Sequence, residues 1–441
     1  MSLDRVNIGG GIHINFVESD RFKTNYIEID LVTRLESEPK AAKNVLLAKV
    51  LKRGSANYPT MADINRRQND LYAAKIGAWA DKIGEAQVLT LSAEMLSDRY
   101  AFDDTDITSG AIELLGDIFT NPLLEGGGFK ADYTETEKAN LIDDILAQIN
   151  NKNAYVYKKC VEKMCEGERF AINNLGSVES VGQIDAKSLH LHYRHILSHC
   201  EIEIFCVGSF GDKKAHIADR FRDMLGGIER GELESHDTDV ILRSGFKGET
   251  IEEMEVNQGK LAVGFRMGTS NKSGDFAKFV MFDSLYANTP NGKLFQNVRE
   301  RLSLCYYCMA KVEAAKGITT VLCGIDNDNM QKTADEITRL LEEMKSGDFT
   351  DTDIETARLS VTNSYKEVFD SSGSIASWYL RRLLAGNMKT PEEAIGEIGK
   401  VTREDIVDTA KNVSLDTIYF LKGTLAGEDC EDCEESEDED E

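Results

Sequence analysis

The sequence predicts an α+β protein of two homologous lobes, each a mixed or antiparallel sheet packed with helices. Three observations carry that reading. The chain has 441 residues, too many for one ordinary hydrophobic core and close to two cores of about 200 residues each. Strand-like patterns come in runs followed by runs of helical pattern, the order of an α+β fold. Segments of the first half also recur in the second at nearly constant spacing. Glu137-Lys138-Ala139 is echoed by Glu355-Thr356-Ala357, 218 positions on, and Val181-Gly182-Gln183-Ile184-Asp185 by Ile398-Gly399-Lys400-Val401-Thr402, 217 on. Ile204 to Gly208 is matched by Tyr419 to Gly423, 215 on. Three similar offsets in one order indicate an internal duplication.

Taken in order, residues 11–19 and 26–34 cluster β-branched side chains between turn signals and predict strands. Over 40–52, Val45, Leu46, Leu47, Val50 and Leu51 fall near helical spacing. Pro39 sits at a first turn and Gly54 just past the end, so the segment predicts a helix. A second helix is predicted over 61–73. Two strands, 74–81 and 86–95, pair around Lys82 to Glu85. Helical patterns follow at 107–119, 132–150, 154–165 and 187–197, and the apolar run Ile202 to Val207 closes the half as a strand. The polar stretch Gly231 to Thr250 suits a linker. It sets the lobes at 1–230 and 251–425 and leaves an acidic tail, 426–441, too polar to bury anything and expected to be disordered.

Apolar content of 41% and charged content of 29% describe a soluble globular protein. No stretch approaches the roughly 18 to 20 apolar residues of a membrane span, and the start Met-Ser-Leu-Asp-Arg lacks the apolar run of a secretory signal, so a cytoplasmic location with no membrane partner is expected. Nine cysteines, an odd count spread along a long chain, fit reduced thiols better than a disulfide framework. Cys305/Cys308 and Cys430/Cys433 are Cys-x-x-Cys pairs, but a structural zinc site needs two such halves or paired histidines, and they read as core thiols and tail residues. Net charge is −26, an acidic balance that argues against a nucleic-acid partner, since phosphate binding draws on clustered Lys and Arg. Gly9-Gly10-Gly11 and Gly126-Gly127-Gly128 lack the Lys-Ser/Thr ending of a phosphate loop and read as turns. His192, His195 and His199 fall on one helical face, a spacing able to chelate metal, but with no Glu base beside them they read as an exposed polar face.

The run Asn291-Gly-Lys-Leu-Phe-Gln-Asn-Val-Arg-Glu-Arg-Leu-Ser-Leu-Cys-Tyr306 resembles the second-lobe segment of the insulinase (pitrilysin, or inverzincin) and mitochondrial processing peptidase family. With lobe size and element order, the resemblance covers roughly residues 5 to 425 and implies an insulinase-like metallopeptidase fold. In that family an Arg and a Tyr seven residues apart reach the peptide at the reacting carbonyl, and Arg299 and Tyr306 match them. A guanidinium and a phenol are both donors, suited to developing oxyanion charge.

Family enzymes carry His-x-x-Glu-His on the early helix, two imidazoles for zinc and a Glu for the metal's water. Here Val45 stands at the first His, Ala48 at the Glu and Lys49 at the second His. None can do that work. The family's third ligand is a Glu seven residues after another Glu, a spacing matched by Glu137 and Asp144. A lone carboxylate binds zinc poorly, and Asp144 is expected to be an exposed helix residue or the partner of a cation such as Lys49.

The resemblance therefore implies a zinc-motif-less member, similar to the bacterial ones named for association with elongation factor P modification. Such a chain binds no cofactor itself. It supplies Arg299, Tyr306 and part of a chamber wall to a zinc-bearing sister subunit, or pairs as a homodimer, and its substrate is a peptide. Two alternatives stay open: a non-enzymatic peptide-binding scaffold, and an active stand-alone zinc metalloendopeptidase with unrecognised ligands.

Overall fold

The apolar runs of the sequence become the central strands of two sheets. They are seen in a computed structural model that describes residues 3–425; the acidic tail and the Cys430/Cys433 pair lie outside the described residues. The first half contributes β1 (Leu3–Gly9), β2 (Ile12–Glu18), β3 (Thr24–Arg34), α1 (Glu38–Leu51), α2 (Met61–Asp70), β4 (Lys75–Ile83), β5 (Ala86–Leu96) and α3 (Ile107–Thr120). After a small hairpin, β6 (Leu124–Glu125) and β7 (Gly128–Phe129), come α4 (Ala131–Ala147), α5 (Lys152–Met164), α6 (Val178–Gly182), α7 (Ala186–His199), β8 (Glu201–Gly208) and α8 (Lys214–Leu225). The second half contributes β9 (Gly248–Met254), β10 (Gly259–Arg266), α9 (Phe276–Tyr286), β11 (Tyr307–Glu313) and β12 (Ile318–Ile325). It ends with α10 (Met330–Ser346), α11 (Asp351–Glu367), α12 (Ser372–Leu384), α13 (Pro391–Ile398), α14 (Arg403–Asn412) and β13 (Ser414–Gly423).

Duplication is visible in the strand order. The first sheet runs β4-β5-β3-β8-β2-β1 and the second β11-β12-β10-β13-β9, the same path with one strand added at the first sheet's far edge. Each sheet is antiparallel except for one parallel pair at the matching place, β2 with β8 and β9 with β13. The α+β reading holds. Among the described residues, no helix is long and apolar enough to cross a membrane.

In the first half β1, β6, β7, α6 and α8 went unread, β1 because its burial alternates weakly on an edge. Helix α2 stops at Asp70 rather than at 73 because Tyr72 and Ala73 take left-handed backbone (φ 58° and 59°), which turns the chain into β4.

The halves trade helices. From the first half, Val156 and Cys160 of α5 pack on Ala262, Leu322, Tyr419 and Leu421 of the second sheet. From the second, Ile375, Ala376, Tyr379 and Leu380 of α12 pack on Val32, Val88, Phe205 and Val207 of the first. Between the halves, β9 already begins at Gly248, inside the stretch read as linker. The rest of that stretch is tied down: the Glu85 amide donates to Thr238 Oγ1 (2.9 Å) and Arg169 Nη2 to the Asp237 carbonyl (2.9 Å).

Where the halves meet, two fully buried cations face carboxylates from both sides. Lys316 Nζ lies 2.6 Å from Glu85 Oε1 and 2.7 Å from Glu168 Oε2. Arg266 pairs with Glu168 Oε1 at 2.6 Å and with Asp416 Oδ2 at 3.0 Å. Arg169 adds a second cation on Glu85, at 2.8 Å. A buried charge in this network has no water to fall back on, so the network fixes the relative placement of the halves.

Candidate functional site

Helix α1 is buried nearly all round, with Ala41, Ala42, Val45, Leu46, Leu47, Ala48, Val50 and Leu51 inside. Its last turns face α4, and the two helices place five of the sequence-selected residues in one cleft of about 470 Å³: Val45, Ala48, Lys49, Glu137 and Asp144. Lys49 Nζ lies 2.8 Å from Asp144 Oδ2, one of the two roles that the resemblance left open for that carboxylate. One turn on, Arg53 Nε holds Glu137 Oε1, and Asn140 Nδ2 donates to Glu137 Oε2 at 3.1 Å.

The residues present do not fit a zinc ion. Val45 and Ala48 offer no donor atom, and both carboxylates are engaged by cations whose charge would repel a dication. Lys52 adds a third cation to the lining, so three positive side chains stand against the two carboxylates. The Lys49–Asp144 pair is itself weak, because the side chains are 31% and 52% exposed. Lys49→Met is accordingly expected to change stability by no more than about 1 kcal/mol, read as an unchanged urea midpoint; a larger loss would mean that the pair braces α1 against α4.

Strand β4 borders the same cleft. It is an edge strand bonded only to β5, and its Ala78, Trp79 and Ala80 line the cleft, with Trp79 39% exposed. An unpaired edge beside a cleft is a template for an extended peptide, main chain to main chain.

Arg299 and Tyr306 lie elsewhere on the chain's surface. Arg299 sits in a π-helical turn, Phe295–Arg301, its guanidinium 4.9 Å from the Phe295 ring centroid and its Nε 3.8 Å from Glu300 Oε1. Tyr306 is 59% exposed; its hydroxyl donates to Asp326 Oδ1 at 3.0 Å, and that carboxylate raises the phenol pKa. All of these contacts stay within the second half, and neither residue lines the Lys49/Asp144 cleft. Beside them Cys305 and Cys308 are buried core thiols, as the sequence predicts, and Cys305 has sulfur neighbours. Hydrogen bonds from Cys308 and Cys323 hold it down to about 4, aided by the Arg299 charge, and the Cys308 and Cys323 sulfurs lie 3.5 Å apart across β11 and β12.

The histidine face is not uniformly exposed. His192 is buried, its Nε2 2.7 Å from Asn44 Oδ1, and burial lowers its pKa to about 3. His195 pairs with Glu234 at 2.9 Å and stacks on His199 at 4.5 Å. A cluster that sequence reading missed is His13, Glu201 and Glu203, the only three metal-ligating side chains within mutual ligand distance among the described residues. They come together because β2 and β8 pair in parallel. Arg5 already sits on both carboxylates.

With two sheets of matching strand order and this cleft on the page, the class the chain resembles is the M16 (insulinase-type) peptidase family. Residues 183–361 match the family model described as Peptidase M16 inactive domain. The chain is similar to the probable inactive metalloprotease YmfF of Bacillus subtilis (strain 168), 29% identical over 419 residues, which cover 94% of this chain and 96% of that one. Among solved structures it resembles a conserved protein from Enterococcus faecalis V583, with a TM-score of 0.88, 25% identity and coverage of 97% of this chain and 100% of the other. A peptidase M16 inactive domain from Pseudomonas fluorescens shares the fold, with a TM-score of 0.79, 14% identity and coverage of 97% and 100%.

Proposed function

We propose that this chain is the metal-free subunit of a two-chain cytoplasmic peptidase, holding peptide and lending Arg299 and Tyr306 to a zinc-bearing sister subunit. One observation supports the reading: both carboxylates of the cleft are taken up in ion pairs, Lys49–Asp144 and Arg53–Glu137, while Arg299 and Tyr306 stay exposed and outside that cleft. A guanidinium and a phenol that do not serve a site of their own chain are available to another. The edge of β4, with Trp79 beside it, gives an extended peptide a strand to pair with. The zinc is the partner's, and this chain binds none.

The test combines purified chains. Alone, this chain turns over no peptide with or without added zinc. Mixed with a sister chain carrying His-x-x-Glu-His, it forms a complex whose peptidase activity is abolished by chelator. Arg299→Ala then lowers kcat of the mixture by about 10², the cost of removing one oxyanion donor, with an unchanged circular dichroism spectrum. Unchanged turnover removes the assigned role. Peptide binding without turnover in any mixture would favour the scaffold reading instead, and zinc-dependent turnover by the chain alone would overturn the proposal.

A further inference from the structure

A second concave site lies in the second half, between α9 and α12, and it serves neither the cleft nor the Arg299/Tyr306 pair. Its volume is about 310 Å³, within the range of small-molecule sites. Phe276, Phe279 and Trp378 supply apolar and aromatic walls. Two polar side chains on the wall are incomplete: Oδ1 of Asp283 and Oδ1 of Asn271 are buried and have no hydrogen-bond donor. A buried acceptor without a donor is destabilising, so a ligand that supplies one gains by it. For Asp283, which is wholly buried, the penalty falls on the charged form and raises the carboxyl to about 7.

The same lining carries the complementary charge. Arg381 and Arg382 are consecutive residues of α12 on it. Arg382 stacks on Trp378, 4.3 Å from the ring centroid, and hydrogen-bonds the Tyr365 hydroxyl. Two guanidiniums and two carbonyl-type oxygens without donors thus line one aromatic pocket. A ligand that completes both carries a cationic donor at one end, an anion at the other and an apolar body between them.

We propose that this pocket binds a small zwitterion with an apolar side chain, of the class of an aromatic amino acid. Its ammonium donates to Asp283 and Asn271, its carboxylate rests on Arg381 and Arg382, and its ring lies against Phe276, Phe279 and Trp378. The proposal does not depend on the peptidase-subunit reading, since none of these residues touches that cleft. It gives the fold a ligand-sensing place: α12 packs on the first sheet while its Trp378 and Arg382 would hold a ligand against α9 of the second half.

Titration calorimetry on the full chain tests it with three probes: L-phenylalanine, N-acetyl-L-phenylalanine without the ammonium, and phenethylamine without the carboxylate. L-phenylalanine is expected to bind one per chain with a Kd at or below about 1 mM, and each truncated probe about tenfold or more weaker. Arg381→Gln combined with Arg382→Gln, on the pocket rim, should weaken L-phenylalanine about tenfold and leave phenethylamine unchanged. Asp283→Asn should weaken L-phenylalanine and phenethylamine and spare the N-acetyl compound. If Asp283→Asn fails to fold, the arginine pair decides alone. A peptide ending in phenylalanine that binds as the N-acetyl probe does would place the source among free amino acids. No saturable binding of L-phenylalanine up to about 10 mM, equal binding of the N-acetyl probe, or indifference to the arginine substitutions would overturn the proposal.

Discussion

Replacing Lys316 by Met is expected to lower the free energy of unfolding by about 3–5 kcal/mol, the cost of breaking a buried ion pair by removing one partner. Lys316 is fully buried and is the cation shared by Glu85 and Glu168, at 2.6 and 2.7 Å. Without it Glu168 keeps Arg266 and Glu85 keeps Arg169, but each loses an ammonium that water cannot replace. Urea unfolding of the two proteins reads the difference, and a shift below about 1 kcal/mol would place the network among weak surface pairs. The same carboxylates give the pH dependence its sign. Burial alone would raise Glu85 and Glu168, yet hydrogen bonds from Lys316, Arg169 and Arg266 outweigh it and hold both below the usual carboxylate range. A folded value below the unfolded one of about 4.3 contributes stability that is fully present above that pH and is lost as pH falls through the folded values. The parent should therefore lose stability steeply below about pH 4, and Lys316→Met less steeply.

Restoring the metal motif is the second large effect. Val45→His, Ala48→Glu and Lys49→His rebuild His-x-x-Glu-His on α1, and Asp144→Glu lengthens the carboxylate that faces it. Removing Lys49 deletes the ammonium and adds an imidazole at the same position, so the charge and the donor set change together. The quadruple variant is expected to retain one zinc per chain through gel filtration, with affinity at least about 10³-fold above the parent, equivalent to about 4 kcal/mol. Elemental analysis checks it. Stoichiometric zinc in the parent would show that the ion pairs are not what occupies the site, and no gain in the variant would show that the α1 and α4 backbones no longer present the family geometry.

Much of the fold was legible because duplication and periodicity are patterns of apolar spacing. The three offsets in sequence correspond to one strand path drawn twice, and Pro39 and Gly54 bracket α1 closely. The Lys49–Asp144 pair was one of two roles the resemblance left open for Asp144, the other being an exposed helix residue, and the half-exposed pair has something of both. Charged residues in turns were not legible. Glu85 follows Gly84 in a turn the sequence places between two paired strands, and Lys316, before Gly317, drew no reading at all; both are buried because the two turns meet. His192 failed for the same reason, a polar residue buried against Asn44 of α1. His13, Glu201 and Glu203 were out of reach because strand partners distant in sequence are set by tertiary pairing.

The exchange of α5 and α12 has a genetic consequence. Each helix belongs by descent to one repeat and by contact to the other, so a gene cut in the middle would yield two chains, each with a sheet stripped of its cover and a greasy helix seeking one.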